Sequence, residues 1–167
     1  PVRSRLVTSR AYLDHAATAP MLPAARDAWI AESEHVGNPS SLHASGRRAR
    51  RVVEESRELV AGLLGVRPSA VVFTGGGTEA DNLAIKGIFW ARRASSGAAS
   101  VLISAIEHHA VLDPSAWLGE HEGADVIQVP VDTVGRVDVD RLAHELAAGP
   151  VALCSVMWAN NEVGTVQ

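Results

Sequence analysis

Hydrophobic and polar positions along the chain keep two different periods. Ala49, Val52, Val53, Val60, Leu63 and Leu64 recur near helical spacing, which predicts a long helix over residues 45–64. Gly65 then stands where a C-cap glycine is expected. Pro20 and Pro23 predict a turn and a helix start, with the helix over residues 24–35. Short apolar runs at 101–104, 124–129 and 151–157 read as buried strands. Between and around them, helices are predicted at 79–93, 110–119 and 139–148, the last capped by Asp138. Strands alternating with helices imply an α/β layered fold with a largely parallel sheet. Ligands in such sheets bind at the carboxyl ends of the strands.

One further apolar run, Val71-Val72-Phe73, is expected as a strand that feeds Thr74 and three glycines at 75–77. Thr78 then opens the helix over 79–93. Glycine lets backbone N–H groups come close to an anion. A helix start adds unpaired N–H groups and the positive end of a dipole. Together these make a phosphate cradle. The same residues also read as a glycine turn with an ordinary cap, since Thr78 and Asp81 have N-cap and N3 spacing. The pattern matches neither a Walker A loop nor Gly-x-Gly-x-x-Gly, so a nucleotide is not the obvious ligand.

Composition narrows the class. The 167 residues are 47% hydrophobic and 20% charged, which fits one globular core. A net charge of −4 gives no basic field for nucleic acid or an anionic membrane. No apolar stretch has the length of a membrane span, and residues 1–10 lack the apolar core of a signal peptide. These ten residues read as a flexible arm. The single cysteine, Cys154, excludes an internal disulfide and suits a reducing cytoplasm. Its apolar segment predicts a buried, inert thiol. The basic run Arg47-Arg48-Ala49-Arg50-Arg51 precedes Glu54, Glu55 and Glu58 by one turn, which favours a solvated, ion-paired face over an anion site.

Two more clusters follow predicted strands. Glu107-His108-His109 follows the strand at 101–104. Adjacent histidines rarely share a metal, and no zinc ligand set is present. A strand-end histidine can shuttle a proton or stack on a planar ligand, or simply lie at the surface. Asn160-Asn161-Glu162 follows the strand at 151–157 and can donate to a ligand oxygen or form an Asx turn. These two clusters and the glycine loop should gather at one sheet edge.

The order and spacing of the motifs resemble the N-terminal part of the cysteine desulfurases, pyridoxal-phosphate enzymes of the class V aminotransferase group. The matching segments are Tyr-Leu-Asp-His-Ala-Ala-Thr at 12–18, Gly-Asn-Pro-Ser-Ser-Leu-His at 37–43, the glycine loop at 73–82 with Leu-Ala-Ile-Lys-Gly at 83–87, Glu-His-His-Ala-Val-Leu at 107–112 and Asn-Asn-Glu-Val-Gly at 160–164. The resemblance runs from about residue 11 to the last residue and looks closest to the iron–sulfur-assembly branch. It implies part of the large domain of a fold type I enzyme over 11–167, a mostly parallel sheet flanked by helices, without the small C-terminal domain.

It also implies residue roles. Gly77 and Thr78 match the positions that hold the cofactor phosphate. His108 matches the histidine that stacks on the pyridine ring and assists proton transfer. Asn161 matches the asparagine near the phenolic oxygen and the substrate. Asn38 and His43 match a loop near the active site. Lys86 does not match the Schiff-base lysine. That lysine, the aspartate that pairs with the pyridine nitrogen and the nucleophilic cysteine belong beyond residue 167 in the family pattern. The implied activity takes sulfur from L-cysteine, giving L-alanine and an enzyme persulfide. An iron–sulfur scaffold protein or a tRNA-thiolation enzyme would receive the sulfur. The implied assembly is a cytoplasmic homodimer. These residues alone are expected to be inactive, and whether they alone bind pyridoxal 5'-phosphate stays open. A selenocysteine lyase or related class V enzyme, and a non-catalytic complementing subunit, are the alternatives.

Overall fold

The computed structural model describes residues 11–167; the arm expected over 1–10 lies outside them. Two compact units are present, one reaching to Val72 and the other spanning Phe73–Gln167.

In the first unit, helix α1 covers Pro23–Ser33 and begins on a proline, whose missing N–H costs nothing at that position. Helix α2 covers Ala44–Leu64. His43 caps it, its Nδ1 accepting from Gly46 N–H at 3.4 Å. Gly65 closes it in the left-handed region, at φ 66°. The loop before α2 is tight: a Cβ on Gly46 would lie 2.3 Å from the Ser41 carbonyl oxygen. The apolar stripe expected on α2 is largely uncovered. Leu63 is 89% exposed, and only Gly46 and Ala61 of the helix are buried.

The basic run finds partners other than those expected. Arg48 makes a two-pronged pair with Glu32 of α1, both contacts at 2.9 Å, and Arg47 donates to the Leu42 carbonyl. Arg57 holds Glu54 and the Val71 carbonyl. The expected strand at 71–73 does not form: after a short 3-10 turn at Pro68–Ala70 these residues join no sheet among the described residues. A strand needs a ladder partner, and the Val71 carbonyl is taken by the Arg57 side chain instead.

In the second unit, α3 spans Gly77–Ser96, β1 Ser100–Ser104, α4 His109–Glu122, β2 Asp125–Val129, α5 Val139–Ala148 and β3 Val151–Ser155. The sheet is parallel with order β2-β1-β3. β1 is central, and all of Val101 to Ser104 is buried, as expected for the middle of a covered parallel sheet. Val101 aligns with Val126 and Leu153, so these three side chains share one face. Ile85 and Phe89 of α3 and Val111 and Leu118 of α4 join Val101 and Ile103 in the core on that face. Phe89 and Leu118 are fully buried, each worth about 1.5–3 kcal/mol of transfer free energy.

Leu102 aligns with Ile127 and Cys154, which places these on the opposite face. Cys154 is exposed there, against the buried thiol expected from sequence. Among the described residues β3 pairs only with β1, so it is an edge strand there and less covered than its apolar sequence implies. Among the described residues, no helix is long and apolar enough to cross a membrane.

Candidate functional site at the carboxyl edge of the sheet

Connections set the edge. Three residues separate α3 from β1, and Gly97 turns the chain at φ 73°. α3 therefore runs antiparallel to the strands. Its 20 residues span about 30 Å, against about 17 Å for a five-residue strand. Its N-terminus thus reaches the level where the strands end. The loops after β1 and β3 leave from that same edge because the strands are parallel.

The glycine loop becomes an open hollow lined by Gly75, Gly76, Gly77, Thr78, Glu79, Asn82 and Leu83. The helix begins earlier than its sequence suggests. Gly76, not Thr78, is the N-cap, and no side chain caps it. Thr78 is the second helical residue, so the Thr78–Asp81 capping box does not form. Glu79 occupies the third position instead, and its carboxylate accepts from Gly75 N–H at 2.6 Å. Thr74 Oγ1 donates to the Gly76 carbonyl at 3.0 Å, which fixes the turn. The first intrahelical bond runs from Ala80 N–H to the Gly76 carbonyl. The N–H groups of Gly76, Gly77, Thr78 and Glu79 have no acceptor among the described residues. The Thr78 hydroxyl has none either, and a Cβ on Gly77 would meet nothing within 4 Å. Such a row of free donors at a helix start, with the Glu79 carboxylate drawn aside onto Gly75 N–H, fits a phosphate group.

His108 is the N-cap of α4. Its Nδ1 accepts from Ala110 N–H at 3.0 Å. In the neutral ring this bond assigns the proton to Nε2. His108 is exposed, and among the described residues its ring meets only the His109 ring, edge-on at 6.5 Å between centroids. One edge is thus tethered while a face and Nε2 remain accessible. Nothing converges on the pair as metal ligands among the described residues.

After β3, the two asparagines divide their work. Asn160 is buried, only 8% exposed, and forms the Asx turn. Its Oδ1 accepts from Glu162 and Val163 N–H at 2.8 and 3.0 Å. Asn161 is exposed, and its amide donates only to Glu162 Oε1, at 3.1 Å. The free amide, and not the buried one, is therefore available to a ligand.

The loops after β1 and β3 are joined directly. Asn160 Nδ2 donates to the Ile106 carbonyl at 2.9 Å, and Glu107 Oε1 accepts from Met157 N–H. The same Glu107 oxygen accepts from Ser104 Oγ at 2.9 Å. His108 and Asn161 are thus held on neighbouring loops of one edge. Sequence reading treated Glu107 and Asn160 only as motif neighbours. The available signal was polar side chains directly at the ends of apolar strands, where backbone donors leave the ladder.

Asn38 and His43 lie in the first unit, where Asn38 Oδ1 accepts from Ser40 N–H at 2.9 Å and His43 caps α2. Lys86 lies 4.1 Å from the centroid of Trp117, a cation–π contact on the α3–α4 surface. Cys154 has its thiol pushed up above the usual range, first by desolvation and then by the negative charge of Glu107. A thiol so placed is a poor nucleophile.

The aminotransferase class-V profile matches residues 11–167. The IscS-like cysteine desulfurase of Mycobacterium tuberculosis is 58% identical over 158 residues, covering 93% of this chain and 40% of that protein. Cysteine desulfurase IscS of Dictyoglomus turgidum is 42% identical over 157 residues, covering 93% of this chain and 39% of that protein. Among solved structures, a NifS-like protein superposes with a TM-score of 0.86 at 36% identity, over 95% of this chain and 43% of its own. The chain thus spans about two fifths of the length of the curated relatives it matches. It corresponds to their N-terminal part, and it belongs to the aminotransferase class-V family.

Proposed function

We propose that this chain forms the phosphate-binding and ring-stacking side of a pyridoxal 5'-phosphate site in a cysteine desulfurase. The observation that carries the reading is the row of free N–H groups from Gly76 to Glu79, with the Thr78 hydroxyl beside it. The relatives named as cysteine desulfurases supply the activity class.

Gly77 and Thr78 would bind the phosphate through their N–H groups and the Thr78 hydroxyl. The α3 dipole adds favourable charge at that point. His108 would lie on the ring with its exposed face. Its Nε2 would hold or move a proton there, because Nδ1 is occupied by Ala110 N–H. Asn161 would donate its amide to an oxygen of cofactor or substrate, giving up its contact with Glu162. The cofactor, when bound, supplies an electron sink that labilises bonds of an amino acid substrate. The full reaction would take L-cysteine to L-alanine and leave sulfur on an enzyme cysteine, to be passed to an iron–sulfur scaffold or a tRNA-thiolation enzyme. Cys154 is not that cysteine, since its thiol is held protonated on an edge strand. The single lysine, Lys86, lies on the α3–α4 surface against Trp117 and does not serve as the Schiff-base group. A cytoplasmic homodimer completes the proposal.

The test is cysteine turnover. The protein expressed from its native reading frame, supplied with pyridoxal phosphate, cysteine and excess dithiothreitol to reduce the enzyme persulfide, should release alanine and sulfide in equal amounts. Release from selenocysteine alone would assign it to the lyase alternative. A polypeptide of these 167 residues should give no turnover above the free cofactor; turnover there would refute the assignment of lysine and nucleophile elsewhere.

A further inference from the structure

We infer that Glu107 and Asn160 are positioning residues whose crossed hydrogen bonds between the loops after β1 and β3 hold His108 and Asn161 in register with each other. The inference rests on the cofactor reading above for what the two held residues touch. The lacing itself stands on geometry.

The two bonds join residues far apart in sequence. Glu107 accepts from the backbone of Met157, fifty positions away, and Asn160 donates to the carbonyl of Ile106, fifty-four positions away. They cross: each loop offers one side chain and one backbone group to the other. The anchored points, Ile106 and Glu107, immediately precede His108. Asn160 immediately precedes Asn161. A shift of either loop would therefore move its neighbour's site residue. The loop after β1 is also tied to β2, where Ala105 N–H donates to the Val129 carbonyl at 3.0 Å.

Both residues are 8% exposed. Burying a carboxylate is costly unless hydrogen bonds replace its water. Glu107 has two such donors, Ser104 Oγ and Met157 N–H, and makes no ion pair among the described residues. Apolar packing would close the gap between the loops at lower cost but would fix no register. A directional, fully partnered polar pair does fix it. Site groups need such support, since a displacement of about 1 Å can lower a rate on the order of 100-fold.

Three variants separate positioning from mere stability: Glu107→Gln, Glu107→Ala and Asn160→Asp. Gln keeps an oxygen that accepts from Ser104 and Met157. Asp at 160 keeps the Oδ1 acceptor of the Asx turn but loses the donor to Ile106. Two readouts are taken: the ¹⁵N ring signals of His108 without cofactor, and affinity for pyridoxine 5'-phosphate, which has no aldehyde to react with Lys86. Glu107→Gln should keep the Nε2–H signature of His108 and change affinity less than about twofold. Glu107→Ala and Asn160→Asp should lose that signature, and affinity should fall by a factor on the order of 10 to 100. Folded variants with unchanged His108 signals and affinity overturn the inference, even if they melt lower. So does a Gln variant as impaired as Ala, and so does failure of both Ala and Asp variants to fold. Where only Glu107→Ala fails to fold, Asn160→Asp decides. If the parent protein binds no pyridoxine 5'-phosphate but the His108 signature still depends on the pair, the lacing stands and the cofactor reading fails.

Discussion

Thr78 shows how one residue can be assigned to a plausible but different task. Its spacing from Asp81 imitates a capping box, yet Gly76 caps α3 and Glu79 reaches back to Gly75. Two overlapping frames of Thr, Gly and acidic residues lie within six positions, and only the backbone path selects between them. The consequence is testable. Loss of a true cap would cost about 1 kcal/mol of stability. Thr78→Val should leave melting unchanged, because the hydroxyl bonds nothing among the described residues. It should weaken pyridoxine 5'-phosphate binding roughly tenfold, as for one hydrogen bond to a charged group. Unchanged binding in a titration would remove Thr78 from the phosphate site. Cys154 was legible only as an apolar-strand residue; its exposure depends on β3 being an edge, which no local pattern encodes. Its thiol pKa is raised, so the thiolate is scarce at and above neutral pH until the ordinary thiol range is passed. Alkylation by iodoacetamide should therefore be slower than for a free thiol at pH 8. Glu107→Gln removes the second cause of the shift and should speed it.

Elements with strong local signals were legible to within a few residues. α5 begins and ends where Asp138 and the apolar period place it, and Asp138 accepts from Arg141 N–H at 2.9 Å. Asp138→Ala should lower stability by about 1 kcal/mol, or roughly 2–4 °C in a thermal melt. A melt unchanged within a degree would show that α5 is held by packing alone. Capping and period are properties of neighbouring residues, so sequence carries them. Pairing is not: the run at 71–73 has strand composition but joins no sheet among the described residues. The turn between β2 and α5 has its own pH signature. Asp132 accepts from Val134 and Arg136 N–H at 2.9 and 2.8 Å. The Arg136 N–H, foremost, holds its carboxyl below the ordinary aspartate value of 3.8. The folded state thus favours the charged form. This support is present above the ordinary aspartate range and is lost as pH falls through the lower folded value. Amide exchange at Val134 and Arg136 should therefore accelerate only below about pH 4. Acceleration already at pH 6 would point to another group.

At the scale of the molecule, parallel pairing converts sequence order into a shared edge. The glycine loop, His108 and Asn161 lie 30 to 53 positions apart in neighbouring steps, yet β1 and β3 run the same way and α3 runs against them. Strand–helix alternation foretold that edge, and the family motifs are what propose these residues as a site on it. The lacing by Glu107 and Asn160 was not legible, because it depends on how far each loop travels after its strand. The phosphate cradle at the start of α3 is most directly tested by residue-resolved NMR titration. Pyridoxine 5'-phosphate should shift the amide signals of Gly76, Gly77, Thr78 and Glu79, whereas unphosphorylated pyridoxine should leave them in place. Equal responses to both ligands, or shifts confined to the surroundings of Lys86 and Trp117, would contradict a phosphate site at this helix start.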